Sequence, residues 1–212
     1  MSNPLVNVEI LPATEEDTLA LAQIESAAFQ GSDPRLGAVL FGPPTPQGHE
    51  RRSKDLIGVM NNDPTVKFTK AVVDGQIAAW AEWHYYAEPF SPKEWEDKEF
   101  PDFTSPAGCN EFFGLIQKRK NKHLAGSRFA YLQILVTDPK YQRLGLGSKL
   151  MQHGLEEADK AGMPGWLEAS ANGYALYKKF GFMDVDEIVI DLSKYGGEGT
   201  WRNTCMLRPI KV

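Results

Sequence analysis

Gln142-Arg143-Leu144-Gly145-Leu146-Gly147 lies between two stretches of opposite character. Upstream, Phe129 to Val136 is an apolar run rich in aromatic and aliphatic side chains, which reads as a buried strand. Thr137-Asp138-Pro139 ends it, because proline offers no N–H and pushes its predecessor out of helical space. Downstream, Leu146, Leu150, Met151, Leu155 and Ala158 recur at helical spacing. Lys149, Gln152, His153, Glu156, Glu157 and Lys160 fill the opposite side of that helix. The arrangement is strand, glycine-bearing turn, helix. The first amides of a helix lack intrahelical partners and sit at the positive end of its dipole. Glycines there let an anion come close to the backbone, so the turn can hold a phosphate or pyrophosphate.

Two nucleotide motifs fail on inspection. A dinucleotide fingerprint needs a third glycine at position 150, which is Leu150, and a P-loop needs Gly-Lys-Ser/Thr where Gly147 is followed by Ser148-Lys149-Leu150. The stretch resembles instead the acetyl-CoA loop of the GNAT N-acetyltransferase superfamily, Gln/Arg-x-x-Gly-x-Gly/Ala after a strand that ends in proline. Further along, Trp166-Leu167-Glu168-Ala169-Ser170 resembles that family's next strand. Tyr177-Lys178-Lys179-Phe180-Gly181-Phe182 resembles its tyrosine-bearing helix, which ends at a Gly-Phe pair. The likeness is specific over residues 129–192 and weaker elsewhere. The family often carries Asn seven residues before the tyrosine; Ser170 stands there, with Asn172 as a displaced substitute.

The resemblance implies an α/β fold: a central mixed β-sheet of about seven strands flanked by helices. It implies acetyl-CoA as co-substrate, held by the backbone of Gln142, Arg143, Leu144, Gly145, Leu146, Gly147 and Ser148. Leu135, Val136 and Thr137 of the preceding strand serve the thioester carbonyl and pantetheine arm, and Asn172 and Tyr177 complete the set. Tyr177 matches the tyrosine that gives a proton to the departing sulfur. The strand position where some members carry a catalytic Glu is Tyr131, so the base lies elsewhere or acts through water. Glu168 is the first candidate, because its strand runs beside the carbonyl site, and Glu82 and His84 follow. The expected reaction is direct attack of a primary amine of a small molecule on the acetyl group. A protein or peptide N-acetyltransferase and a non-catalytic acyl-CoA-binding module stand as alternatives.

Composition narrows the classes. The 212 residues suit a single domain, with residues 87–127 as an insertion between the third and fourth strands, and 42% apolar residues suffice for a full core. A net charge of −5 argues against nucleic-acid and anionic-membrane partners. No long uncharged apolar run is present, and Met1-Ser2-Asn3-Pro4 lacks the basic and apolar segments of a signal peptide. Cys109 and Cys205 form no CxxC motif and read as reduced thiols of a cytoplasmic protein. The four histidines show no ligand spacing, so no metal is expected. Monomer and homodimer both remain open.

In chain order, Val6 to Leu11 alternates like a strand, and Thr14 caps a helix that ends near Gly31. Residues 31–49 hold four prolines and four glycines and read as loop, followed by a helix over Glu50 to Met60. Val66–Val73 and Gln76–Tyr86, joined by Asp74-Gly75, form the clearest hairpin. Alternation puts Ile77, Ala79, Ala81, Trp83 and Tyr85 on one face, and Ala78, Trp80, Glu82, His84 and Tyr86 on the other. Glu82 and His84 are thus neighbours, either facing solvent or reaching an acceptor pocket. Ala87 to Pro106 fits no regular element. Its aromatics and acids (Glu88, Glu94, Glu96, Asp97, Glu99, Asp102) suit a lid that attracts a cationic amine, or an edge cover or dimer contact. Asn110 to Leu124 reads as a helix with a basic end, placed for its dipole or as an outer contact for coenzyme phosphates. Glu187 to Leu192 and Thr200 to Pro209 read as closing strands around a turn with three glycines.

Overall fold

The computed structural model describes residues 7–32, 34–100 and 103–211. In order these form β1 (Val8–Pro12), a short 3-10 turn, α1 (Thr18–Ser32), and α2 (Pro34–Leu36), which runs into a π-helical turn (Gly37–Phe41). Next come α3 (Pro46–Asn62), β2 (Val66–Val73), β3 (Gln76–Tyr86), α4 (Pro106–Leu124) and β4 (Phe129–Thr137). The chain continues through α5 (Leu146–Lys160), β5 (Gly165–Ala169), α6 (Ala171–Lys179), β6 (Met183–Asp191) and β7 (Thr200–Arg208). The strands make one open seven-stranded sheet in the order β1-β2-β3-β4-β5-β7-β6. Only the β4–β5 pairing is parallel, so the sheet is mixed, as expected.

Helices cover both faces. Leu146, Leu150, Met151, Leu155 and Ala158 of α5 bury against Ala79, Ala81, Trp83 and Ala130, with Tyr177 and Phe182 alongside. On the other face α1 and α3 bring Leu21, Ile24 and Leu56 onto Phe68, Trp80 and Val136. Beside them α4 and the π-helical turn cover Phe129, Tyr131, Trp166 and Cys205. Small residues decide how closely α5 approaches. A Cβ added at Gly154 would stand 2.2 Å from the Trp83 indole nitrogen, so only glycine lets the helix rest on that ring.

Several sequence expectations need correction. Residues 31–49 are not mostly loop, since α3 begins at Pro46, with Thr45 accepting from the Gly48 amide at 3.0 Å. Likewise α4 begins at Pro106, capped by Ser105, which accepts from Gly108 N–H at 3.1 Å. In both, the proline is the first helical residue, where its missing N–H costs nothing, and so opens a helix instead of breaking one. The β3 alternation slips at Ala78, a bulge opposite Ala71 and Val72. Ile77 therefore joins Trp80 on the α1 face. The hairpin and its Asp74-Gly75 turn stand as read, with Asp74 and Gly75 at φ 48° and 80°. Val6, Asp102 and the N-terminal Met1-Ser2-Asn3-Pro4 lie outside the described residues.

One irregularity positions everything that follows. The β4–β5 ladder comprises Ala130↔Gly165, Tyr131↔Trp166 and Leu132↔Leu167, and there it stops. Both strands continue, β4 to Thr137 and β5 to Ala169. At the same level β3 pairs Glu82 with Ile134 and Trp83 with Leu132, so Gln133 is a bulge in β4. A bulge bends its strand and adds local twist. Beyond Leu132 the edge of β4 that faces β5 makes no further ladder pairs, which leaves a gap in the sheet's pairing between the two strands.

Candidate active site

On the α5 face, the turn after β4 leaves backbone amides free. Asp138 accepts from Lys140 N–H at 2.9 Å and caps a short turn around Pro139. Arg143 and Gly145 then take left-handed conformations, with φ of 69° and 77°. Glycine alone adopts that shape without cost at the N-cap of α5, and Arg143 does so under strain. The first amide to bond back is Lys149, onto the Gly145 carbonyl at 3.2 Å, so those of Leu146, Gly147 and Ser148 have no acceptor in the helix. Gln142 to Gly145 and Ser148 are exposed, while the Leu146 side chain is buried and contributes only its backbone. A Cβ on Gly147 would meet Leu176 of α6 at 3.3 Å, which leaves little room for a larger side chain.

The open strand edge leads away from this turn. Asp138 N–H donates to the Ala78 carbonyl at 2.9 Å, toward β3. Amides alternate along a strand, so those of Leu135 and Thr137 point the other way, into the gap beside β5. The Val136 side chain is buried under α1. Across the gap, Ser170 caps α6 by accepting from Gly173 N–H at 3.4 Å, and Asn172 is exposed in the first turn of that helix. Tyr177 stands two turns into α6, buried against Phe182 at 6.2 Å between ring centres. Burial pushes its phenol pKa far above the ordinary value, so the hydroxyl keeps its proton.

The opposite face carries the charges. Glu82 and His84 are 1% and 4% exposed, so the reading of them as solvent-facing polars is wrong. His84 Nε2 lies 3.0 Å from Glu82 Oε1, and His84 Nδ1 lies 3.2 Å from Asp63 Oδ2 and 3.3 Å from Thr65 Oγ1. Arg52 of α3 donates from Nε to Glu25 Oε2 at 3.0 Å and places Nη2 3.8 Å from Glu82 Oε2. Burial raises the Glu25 carboxyl above its usual range, with Arg52 opposing. One strand further on, the His84 ring faces Tyr131 at 6.1 Å. The Tyr131 hydroxyl hydrogen-bonds Glu168, which also accepts from Trp166 Nε1 at 2.6 Å. Burial raises Glu168 above the ordinary carboxylate range, while the nearby charge of Lys120 holds it down. Lys120 Nζ itself sits 4.8 Å above the Tyr131 ring. An open cleft of about 670 Å³ runs beside this row, lined by Asp55, Asp63, Glu82, His84, Tyr86 and the bulged Gln133 among others.

The sequence profile of the acetyltransferase (GNAT) family matches residues 40–182. The chain belongs to that family. The [ribosomal protein bS18]-alanine N-acetyltransferase of Escherichia coli (strain K12) is 34% identical over 96 residues. That match covers 42% of this chain and 64% of the relative, so the chain spans under two thirds of that protein's length. Among solved structures, a polyamine N-acetyltransferase of Drosophila melanogaster superposes with a TM-score of 0.69 at 12% identity, covering 96% of this chain and 100% of that one. The PaiA N-acetyltransferase of Thermoplasma acidophilum, solved with coenzyme A, has a TM-score of 0.54 at 15% identity, covering 96% of this chain and 99% of that one. These two likenesses are of fold. The GNAT fold expected from the residues around Gly145 and Tyr177 is therefore shown.

Within that GNAT frame, the three candidate bases Glu82, His84 and Glu168 meet on one face, and Tyr177 stands on the other, across the gap. Sequence reading missed Glu25 of α1, Arg52 of α3 and Asp63 of the turn after α3, and it took Lys120 of α4 only as part of that helix's basic end. None of them carries a local motif; each is charged at a helical or turn position that looks like ordinary surface. Two expectations are displaced. The basic end of α4 does not approach the turn over Gln142 to Ser148, because it feeds the start of β4 and the turn follows its end, about 25 Å away by strand rise. Its Arg119, Lys122 and His123 instead hold Asp186 of β6 at 3.0, 2.6 and 2.8 Å. The aromatics of residues 87–106 pack inward, Phe90 on Phe129 and Trp95 on Phe113. Its Glu88, Glu94, Glu96, Asp97 and Glu99 are exposed, and none lines the cleft.

Proposed function

We propose that the protein transfers an acetyl group from acetyl-CoA to a primary amine of a small molecule by direct attack. The observation that carries this reading is the gap between β4 and β5. It joins an anion-ready turn and a protonated tyrosine on one face to a row of carboxylates on the other. The residues fit the co-substrate: open amides at Leu135 and Thr137, free helix amides at Leu146 to Ser148, and Asn172 at the start of α6. When bound, acetyl-CoA supplies an activated acetyl group and a thiolate leaving group.

The chain's own residues handle the protons. Glu168, oriented by Tyr131 and Trp166, accepts the proton of the incoming amine, directly or through water. Its raised pKa brings it nearer that of a useful base at neutral pH. Tyr177 holds its proton for the departing sulfur. Glu82 and His84 hold the acceptor side of the cleft. Two buried free cysteines, Cys109 and Cys205, fit a reducing compartment and support a cytoplasmic location. Among the described residues, no helix is long and apolar enough to cross a membrane.

A second reading, acetylation of a protein or peptide N-terminus, is favoured by the relative whose name assigns it a ribosomal-protein alanine. Thiol release from acetyl-CoA with a matched panel of small amines and peptides separates the two. Mass shifts of about 42 Da on small amines, with kcat/KM at least tenfold above that of any peptide, are expected. The reverse order overturns the small-molecule reading, and no release with either supports a non-catalytic binding module.

A further inference from the structure

The basic end of α4 splits in two. Arg119, Lys122 and His123 are taken up by Asp186. Lys120 is not. Among the described residues its ammonium makes no hydrogen bond and no ion pair, and it lies over the Tyr131 ring, 4.8 Å from Nζ to the ring centre. The Tyr131 hydroxyl bonds Glu168, and the charge of Lys120 acts on that carboxylate. A half-buried primary amine therefore stands beside the group assigned to take a proton from an amine. Burial lowers the Lys120 pKa, Glu168 opposes, and repulsion by Lys98 lowers it further, so its neutral, nucleophilic form is favoured. Lys98 is fixed on that side by Asn110, which accepts from its N–H at 2.9 Å and donates to its carbonyl at 3.0 Å.

We propose that Lys120 is an internal acceptor: when free amine is scarce the protein acetylates this side chain itself, and the modification turns down its own base. The inference rests on the acetyl-transfer reading and adds a modification site and a form of regulation to it. Lys120 attacks as the neutral amine, so a C–N bond forms as the C–S bond of the thioester breaks. The amine proton passes to Glu168 and the leaving thiolate takes that of Tyr177. Both groups then recover their state by exchange with water. From the ammonium form, the products are acetyl-lysine, the coenzyme A thiol and one proton.

Glu168 is half-buried where the β4–β5 ladder ends, and Lys120 reaches it from α4. A lysine stem is flexible, so Nζ can exchange the ring face of Tyr131 for the Glu168 carboxylate without movement of the helix. An amine on the same chain also needs no diffusional encounter. The consequence follows from what faces Glu168. Tyr131, Trp166 and, across the β5–β7 ladder, Cys205 carry no charge at neutral pH, since burial raises the Tyr131 phenol and pushes the Cys205 thiol up to about 12. Lys120 supplies the charge that holds Glu168 down. An acetamide has none, so Glu168 keeps its proton to higher pH and fewer molecules hold an ionised base at neutrality.

The test incubates the full chain with acetyl-CoA and no acceptor, then weighs the intact protein and maps its lysines by peptide mass. One addition of about 42 Da is expected. It should form on Lys120 at least about tenfold faster than on the exposed Lys98, Lys118 or Lys122, at a rate that dilution of the protein does not change. Tyr177→Phe should slow it about tenfold or more and leave chemical labelling of the exposed lysines as it was. After modification, turnover of an added amine should be severalfold lower at neutral pH, with its acid limb at higher pH. Lys120→Gln should show that lower rate from the start, whereas Lys120→Arg should take no label there and lose no rate on preincubation. The mapping uses the unaltered protein, so it decides even if a variant fails to fold. Label spread evenly over the exposed lysines overturns the proposal. So does label on Lys120 that Tyr177→Phe leaves unslowed, or that moves neither rate nor limb. Transfer to added amines with no label on Lys120 overturns this proposal alone. No thiol release, with any amine or with the protein by itself, overturns the acetyl-transfer reading.

Discussion

The two faces of the sheet are built by different chemistry, although β3, β4 and β5 supply both. Under α5 and α6 the strands present Ala79, Ala81, Ala130 and Leu167, with Tyr177 of α6 buried among them. The proposed coenzyme site there is built of backbone amides, at Leu135, Thr137 and the start of α5. Under α1, α3 and α4 the same strands present Glu82, His84, Tyr131 and Glu168, tied to Arg52, Glu25, Asp63 and Lys120. An apolar wall with backbone donors suits a constant, polyanionic partner. A network of buried charges suits discrimination among acceptors, since each unpaired group penalises the wrong one.

The largest effect is expected where the backbone does the binding. Gly147→Asp puts a negative charge among the free amides of α5, so coenzyme A affinity by calorimetry should fall by roughly tenfold to a thousandfold. Gly147→Ala is the control. Its Cβ meets only the tip of Leu176 at 3.3 Å, and it should bind coenzyme A within a few-fold of the parent. Equal binding by Gly147→Asp in a folded protein would remove the anion site from this face. Next comes the phenol. Tyr177→Phe keeps the packing on Phe182 but deletes the proton, so turnover should drop by about tenfold to a thousandfold with coenzyme A affinity steady. Intact turnover would make Tyr177 a packing residue.

The charged face should answer through pH. With Glu168 as the proposed base, the reaction needs it ionised, so the rate should fall on the acid side, through a pKa that burial has raised. Glu168→Gln should lower the rate about tenfold or more and flatten that limb. Lys120→Met removes a charge that favours the ionised form, so the limb should move to higher pH. A limb that stays in place would detach α4 from the chemistry. The smallest effect belongs to the structural end of the same helix. His123 and Lys122, donating to Asp186, hold its carboxyl well below the usual range. A depressed folded pKa gives stability that is present above the unfolded value near 3.8 and is lost as pH falls through the folded one. Asp186→Asn should cost about 1.5–3 kcal/mol at neutral pH in urea unfolding, the range for hydrogen bonds to charged groups. The difference from the parent should shrink in acid. A constant difference would mean that the pairing is not electrostatic.

How much of this was legible in the sequence follows the same division. The turn after β4, the helix behind it, the hairpin and Tyr177 could be read because each is specified by neighbours: an apolar run, Pro139, Gly145, Asp74-Gly75, and a tyrosine beside Phe180-Gly181-Phe182. The charged network could not, because Glu25, Arg52, Asp63, Glu82, Lys120 and Glu168 come from six separate elements or turns and meet only after the sheet forms. The strand reading placed Glu82 and His84 together but could not tell buried from exposed, since alternation specifies a face and not what covers it. The Gln133 bulge left no trace of its own. It arises in the pairing of two strands, and it reverses which β4 residues face α1. Prolines 46 and 106 misled for a simpler reason: the Thr or Ser just before each was the stronger signal.

The central claim is that coenzyme and acceptor approach the β4–β5 gap from opposite faces. Residue-resolved amide hydrogen exchange, with and without coenzyme A, tests it most directly. Coenzyme A should slow exchange at Leu135, Thr137, Leu146, Gly147 and Ser148, and leave Asp63 and Thr65 at the cleft unchanged. Protection centred on Asp63 and Thr65, with none from Leu146 to Ser148, would contradict it.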